Sequence, residues 1–160
     1  MEEGTTLVRV ELRGVPLRER ARYLQHTEEL VREMTLIRIG AAQDAEQGAR
    51  SPLPHRLLEL AAEVQATVGP FLAQPADEAD AAAARGERSV DVTVPVPLAA
   101  APLVERVAAV LDEAEEFCRQ GRYLLTLAAP ADVLAYRAWL LGEFRRQMAG
   151  EAPLPWPVAA

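Results

Sequence analysis

The chain of 160 residues contains no lysine and no asparagine, so all 17 of its basic side chains are arginines. Without lysine it lacks the phosphate-binding residue of a P-loop, the amine of a Schiff-base enzyme and the phosphate clamp of a kinase. Without asparagine it lacks the amide that holds the nucleotide's magnesium in several ATPase folds. Abundant alanine and arginine with only two isoleucines are typical of a high-GC genome. We therefore attribute both absences first to codon bias.

Other scarce features narrow the class of protein further. The single cysteine, Cys118, allows no intramolecular disulfide, as in a reducing cytoplasm. The N-terminus lacks the apolar core of a signal peptide, and no apolar run approaches the ~18 residues of a membrane span. A net charge of −7 argues against nucleic acid, whose phosphates attract clustered cations. The sequence predicts a soluble cytoplasmic protein that binds neither nucleic acid nor membrane.

The residues that usually carry catalysis are few and separated. His26 and His55 are expected near opposite ends of a helical hairpin, which argues against a shared metal or catalytic site. Neither serine lies in a nucleophile elbow, and the carboxylates at 112–116 are typical of a solvated helix face. The sequence therefore indicates no catalytic residue, no metal ligand and no cofactor.

Two segments alternate apolar and polar residues with the period of a half-buried strand, at 7–15 and at 89–96. The polar side of the first carries Arg9 and Arg13, and that of the second carries Asp91. These polar sides predict a sheet with one uncovered face. A third strand is predicted at 123–127, directly after Gly121.

Helical periodicity predicts four main helices. Three of them cover 17–40, 102–120 and 131–149. The remaining one, second in chain order, begins at Pro52 or Pro54, and its buried face extends to Phe71. Residues 74–88 lack large apolar side chains. Both a flexible linker and a short exposed helix that ends at Gly86 are consistent with this composition, and we favour the helix.

The element order β-α-α-β-α-β-α predicts an α+β fold, a two-layer sandwich of a small mixed three-stranded sheet and four main helices. Two antiparallel helices would return the chain so that the first two strands run antiparallel, with the third strand parallel to the second. An ordered helix at 75–85 would reverse the relative direction of the first two strands and make them parallel. One domain is expected over 1–150, followed by a proline-rich tail at 151–160.

The C-terminal segment carries both tryptophans, Trp139 in the last helix and Trp156 in the tail. A proline-rich tail that ends in an aromatic residue suits docking on a partner with little entropy loss, or covering of the domain's own core. The tail and the polar sheet face together give five candidate interaction residues: Trp139, Trp156, Arg9, Arg13 and Asp91. An alternative pocket between sheet and helices would be lined by Tyr123, Tyr136 and Trp139.

The same segment carries a family resemblance. The pattern R-x-W-L-x-x-E-F-x-x-Q-x-x-G at 137–150, followed by a proline-tryptophan end, resembles small actinobacterial proteins found with partner-switching signalling components. These components are anti-sigma-factor kinases, their antagonists and PP2C-type phosphatases. Residues 10–16 and 28–34 also look like this group. The matching residues of the pattern are Arg137, Trp139, Leu140, Glu143, Phe144, Gln147, Gly150 and Trp156.

The chain departs from the catalytic members of such pathways. It lacks the asparagine-bearing helix and glycine-rich ATP lid of the kinases. Thr93 lies inside a predicted strand, so it does not match the phosphorylated residue of the antagonists. The resemblance therefore implies an accessory or scaffold protein rather than a kinase or a switch.

The function predicted from the sequence is a non-catalytic regulatory or scaffold domain that acts by protein–protein interaction. The partner would be another protein or a second copy of the chain. A homodimer through an exposed sheet face or edge is consistent with the unpaired strands. The alternative function is a small-molecule-binding domain that uses the tyrosine and tryptophan pocket.

Overall fold

The protein consists mainly of helices packed on a two-stranded sheet. The computed structural model describes residues 5–43, 52–120 and 128–158. The elements are β1 (Leu7–Pro16), α1 (Leu17–Gln43), α2 (Leu53–Thr67), α3 (Gly69–Ala84), β2 (Ser89–Pro97), a 3₁₀ turn (Leu98–Ala100), α4 (Ala101–Gln120) and α5 (Ala131–Met148). Helices make up 71% of this structure, and the described sheet has two strands. The predicted α+β sandwich with a three-stranded sheet and four helices is therefore wrong.

Two segments account for the difference. The segment assigned to a third strand, at 123–127, lies outside the described residues. The second helix does not continue to Phe71, because α2 ends at Thr67 and α3 begins at Gly69. Pro70 explains the break, since it has no N–H to donate and its ring clashes with the preceding helical turn. The short helix favoured beyond residue 74 is the second half of α3.

β1 and β2 pair antiparallel, with Val10 opposite Val94. Helix α1, with 27 residues, carries the chain about 40 Å away from the sheet. Helices α2 and α3, of 15 and 16 residues, cover a similar distance back in two steps. The expectation that an additional helix would reverse the strand pairing is therefore wrong, because the two short helices share one return path.

The main core lies between the apolar face of the sheet and the helices α1, α2, α4 and α5. Its largest fully buried side chains are Met34, Leu53, Val10, Val15 and Val96. Burial of each contributes roughly 1.5–3 kcal/mol through removal of apolar surface from water. A smaller cluster joins Ala79 and Ala82 of α3 to Leu17 at the start of α1.

A β-bulge interrupts β1 where Arg13 and Gly14 lie together opposite Asp91. Gly14 has a φ of +68°, a left-handed conformation that glycine adopts without steric cost. Its N–H donates to Oδ1 of Asp91 at 2.6 Å. Asp91 therefore holds the bulge in place from the neighbouring strand.

The outer edge of β1 is closed by α5 and the C-terminal tail. The N–H of Glu11 donates to Oε1 of Gln147, and Nε2 of Gln147 donates to the C=O of Glu11, both at 2.8 Å. The N–H of Trp156 donates to the C=O of Arg13 at 2.9 Å. At Glu11 and Arg13 these groups take the place of a neighbouring strand, so this part of the edge is protected from pairing with another chain.

Candidate functional site

The C-terminal tail packs on the domain's own aromatic cluster. The ring centre of Trp156 lies 5.5 Å from that of Trp139 and 6.1 Å from that of Tyr136. Nε1 of Trp139 donates to the C=O of Leu154 at 3.2 Å. Aromatic pairs at such distances contribute about 0.5–1.5 kcal/mol beyond the area they bury. The two predicted interaction tryptophans therefore contact each other within one molecule.

The residues of the alternative small-molecule pocket are only partly described. Tyr136 is buried, and its ring also lies 5.3 Å from that of Tyr23 and 6.0 Å from that of Trp139. Tyr123 lies outside the described residues. The small-molecule hypothesis for these three residues stays a prediction.

Glu143 anchors the tail from inside α5. Its carboxylate is 2% exposed and accepts hydrogen bonds from the N–H of Leu154 at 2.8 Å and from Nε2 of Gln147 at 2.9 Å. Nη1 of Arg146 donates to it at 2.6 Å. Three donors, one of them charged, offset the loss of hydration of this buried carboxylate. The tail is therefore fixed by polar contacts as well as by ring packing.

A small cavity of about 10 Å³ lies among α1, α4 and α5. Its lining residues are Tyr23, His26, Thr27, Leu30, Leu111, Glu115, Cys118, Val133 and Arg137. Both carboxylate oxygens of Glu115 accept the N–H of Ala129 at 3.1 Å, and Nη2 of Arg137 donates to Asp112 at 2.8 Å. A cavity of this volume holds about one water molecule. It is too small for an organic ligand.

Burial, with smaller contributions from the negative charges of Glu115 and Glu33, raises the pKa of the Cys118 thiol to about 11. Burial is also the main cause of the raised pKa values of Tyr23 and Tyr136. A thiol with this pKa is almost entirely protonated at neutral pH. The Cys118 thiol is therefore a weak nucleophile at this pH.

These shifts predict a loss of stability in alkali. The ordinary thiol pKa is about 9, so between pH 9 and pH 11 the unfolded chain releases a proton that the folded chain keeps. We expect the free energy of unfolding to fall over this range, with the Cys118 contribution intact below it. Urea denaturation from pH 7 to pH 11 should show a smaller fall for Cys118→Ala than for the wild type. An identical fall in both proteins would contradict the assignment.

An open groove of about 540 Å³ lies between the sheet and α3. Its sheet side is formed by Arg9, Asp91, Thr93 and Pro95, and its helix side by Pro70, Phe71, Gln74, Pro75 and Glu78. The volume is in the range of ligand-binding clefts. Two predicted interaction residues, Arg9 and Asp91, meet at this groove. The third on the sheet, Arg13, instead pairs with Glu11 at 2.7 Å.

Arg9 places an exposed positive charge at the groove. It forms no ion pair or hydrogen bond with the residues that the structure describes, whereas Arg20 and Arg56 are paired with carboxylates, as are most other described arginines. The two groove carboxylates each have a donor, because Gln74 donates to Glu78 at 3.1 Å and Gly14 donates to Asp91. A guanidinium binds carboxylate and phosphate groups through paired hydrogen bonds. The Arg9 end of the groove therefore suits an acidic side chain, whereas Asp91 and Glu78 make the lining as a whole net negative.

The helix side of the groove was missed at the sequence level. Phe71 was assigned to the buried face of a long second helix, whereas it is only half-buried and lies on the groove. The Gly69-Pro70 dipeptide was the available signal, because this pair interrupts a helix and starts a new one. A restart at this point turns the first residues of α3 toward the sheet.

No protein-family model, no curated protein and no solved structure matches the chain. Within 5–43, 52–120 and 128–158, no helix is both long and apolar enough to cross a membrane. The same ranges contain no group of three or more side chains placed to hold a metal ion. A functional assignment therefore rests on the geometry and chemistry of the groove.

Proposed function

We propose that the protein is a non-catalytic regulatory or scaffold domain that binds an extended segment of another protein in the groove between β2 and α3. The observation that carries this proposal is the groove itself, which combines an open cleft, the exposed guanidinium of Arg9 and the half-buried ring of Phe71. Arginine and aromatic residues supply much of the binding energy of protein interfaces. The prolines beside Phe71 add apolar surface with little conformational freedom to lose.

The sequence suggested two binding surfaces, and the proposal uses the one on the sheet. Trp156 is held by the backbone of Arg13 and by the ring of Trp139, so its contacts are made within the chain. The proposed setting is the bacterial cytoplasm and a partner-switching signalling pathway. Support for that setting is the sequence resemblance at 137–156.

Selection of random 12-residue peptides on the immobilised protein tests the proposal. We expect selected peptides to bind at least tenfold more weakly to Phe71→Asp and to Arg9→Ala, by fluorescence anisotropy. Leu36→Asp and Arg38→Ala are the matched controls, because both residues are exposed on α1 outside the groove. We expect these controls to bind like the wild type. The proposal fails if no peptide is selected, or if the selected peptides bind all four variants equally.

A further inference from the structure

The backbone direction of β2 follows from the contacts of β1. Both backbone groups of Glu11 bind the side chain of Gln147, so they point away from β2. In an antiparallel pair, the backbone groups of directly opposite residues point either both inward or both outward. Thr93 lies opposite Glu11. The N–H and C=O of Thr93 therefore point away from β1, toward the open side of β2.

The same alternation applies to the neighbours of Thr93 on this strand. Asp91 and Pro95 lie two residues before and after Thr93, so their backbone groups also point away from β1. Pro95 has no N–H and contributes only its C=O. All three residues line the groove. No described residue is hydrogen bonded to the outward backbone groups of the three.

The two edges of the sheet thus differ. On β1 both outward groups of Glu11 are occupied by the amide of Gln147, and the C=O of Arg13 is occupied by the N–H of Trp156. On β2 the residues that carry the corresponding groups line the groove, and no described residue is bonded to these groups. An edge with alternating unpaired N–H and C=O groups is a template for a further strand.

We infer that the segment bound in the groove adds to β2 as a third strand, with main-chain hydrogen bonds to Asp91 and Thr93 and an acidic side chain beside Arg9. This inference rests on the proposed function and specifies its ligand. The acidic side chain follows from Arg9, which is the groove's cation without a described partner. Main-chain bonds hold the segment, and the neighbouring side chains select it.

A single segment fits this edge better than a second copy of the chain. Two copies paired edge to edge through β2 would be related by a twofold axis, and each would bring its own α3 to the shared edge. Because α3 packs against β2 and forms the far wall of the groove, the two helices would compete for the same space. A lone extended segment needs less room, because it brings no second helix and has only the chain's own α3 beside it.

N-methylation of the tightest selected peptide, one backbone nitrogen at a time, tests the added strand. A strand presents its N–H groups alternately to β2 and away from it, so we expect losses of at least tenfold at every second position in the bound part. The positions between should change by less than about twofold. If the peptides bind but the affinity losses do not alternate along the sequence, the inference of an added strand is wrong, whereas the proposed function still stands. If selection yields no peptide, the proposed function itself fails.

Variants of the protein supply a second, independent readout. Thr93→Pro removes the outward N–H without removing a bond to β1, so we expect at least a tenfold loss of peptide binding. Thr93→Val keeps the N–H and should bind within about twofold of the wild type. Equal binding by the two variants overturns the inference. Circular dichroism checks that both variants fold. If Thr93→Pro does not fold, the N-methyl scan with the wild-type protein tests the inference instead.

A charge exchange tests the acidic side chain. Arg9→Glu should weaken the selected peptide at least tenfold, and replacing the peptide's acidic residue with lysine should restore binding to Arg9→Glu but weaken binding to the wild type. Loss without restoration overturns the pairing with Arg9. Restoration by the lysine peptide supports it.

Discussion

Replacing Glu143 with alanine is expected to lower the free energy of unfolding by about 1–3 kcal/mol, because it leaves a buried backbone donor of the tail without its acceptor. The carboxylate is 2% exposed and accepts from Arg146, Gln147 and the N–H of Leu154. Without it, the N–H of Leu154 loses its acceptor and Nε2 of Gln147 loses one of two, in a site with little access to water. Arg146 keeps Glu151 and the C=O of Ala152 as acceptors. Urea denaturation followed by circular dichroism measures the change.

The tail should also loosen in this variant. The hydrogen bond between Leu154 and Glu143 positions the tail that carries Trp156. Because this bond is lost in the variant, we expect tryptophan fluorescence to shift to longer wavelength before global unfolding. Glu105→Ala is the matched control, because Glu105 pairs with Arg145 at 2.7 Å on the exposed surface. An exposed pair contributes at most about 1 kcal/mol. A loss in Glu143→Ala no larger than in the control would show that the carboxylate does not hold the tail.

Met34→Ala is expected to destabilise the fold by about 2–5 kcal/mol, since truncation of a buried large side chain removes apolar burial and leaves a cavity. Met34 is 0% exposed and belongs to the main core. Leu36→Ala on the same helix is the control, because Leu36 is 63% exposed and its replacement should change stability by less than about 0.5 kcal/mol. Thermal and urea denaturation of both variants measure the difference. Similar losses in the two would contradict the assigned orientation of α1.

The sequence pattern correctly predicted the helices and strands that have one buried face and one exposed face. β1 and β2 alternate apolar and polar residues because one sheet face packs on the core, and that alternation is visible locally. Helices α1, α4 and α5 carry large apolar side chains at helical spacing for the same reason. The outward polar residues, Arg9 and Asp91, were identified from this alternation, and they lie at the groove.

Helix α3 was harder to predict because its buried residues are small. Pro75, Ala79 and Ala82 are its buried residues, and none gives a strong hydrophobic signal. Their small size lets the helix approach β2 and Leu17 closely, which is a property of the folded packing rather than of the local sequence. Without α3 next to β2, the groove could not be predicted.

The closure of the β1 edge also has no local signal. Glu143 and Gln147 lie four residues apart on α5, a spacing that is equally typical of a solvated helix face. Gln147 is buried by its contact with Glu11, which is 136 residues away in the chain. Which edge of the sheet stays open therefore depends on tertiary contacts.

Amide chemical shifts of the ¹⁵N-labelled protein, recorded while the tightest selected peptide is added, test binding at the groove most directly. We predict that the largest changes occur at 70–78 of α3 and at 91–95 of β2, with the N–H of Thr93 shifted downfield as it gains an acceptor. Residues around Trp139 and Trp156 should change little. The largest changes at the tryptophans, with the resonances of β2 unmoved, would contradict the groove as the binding site.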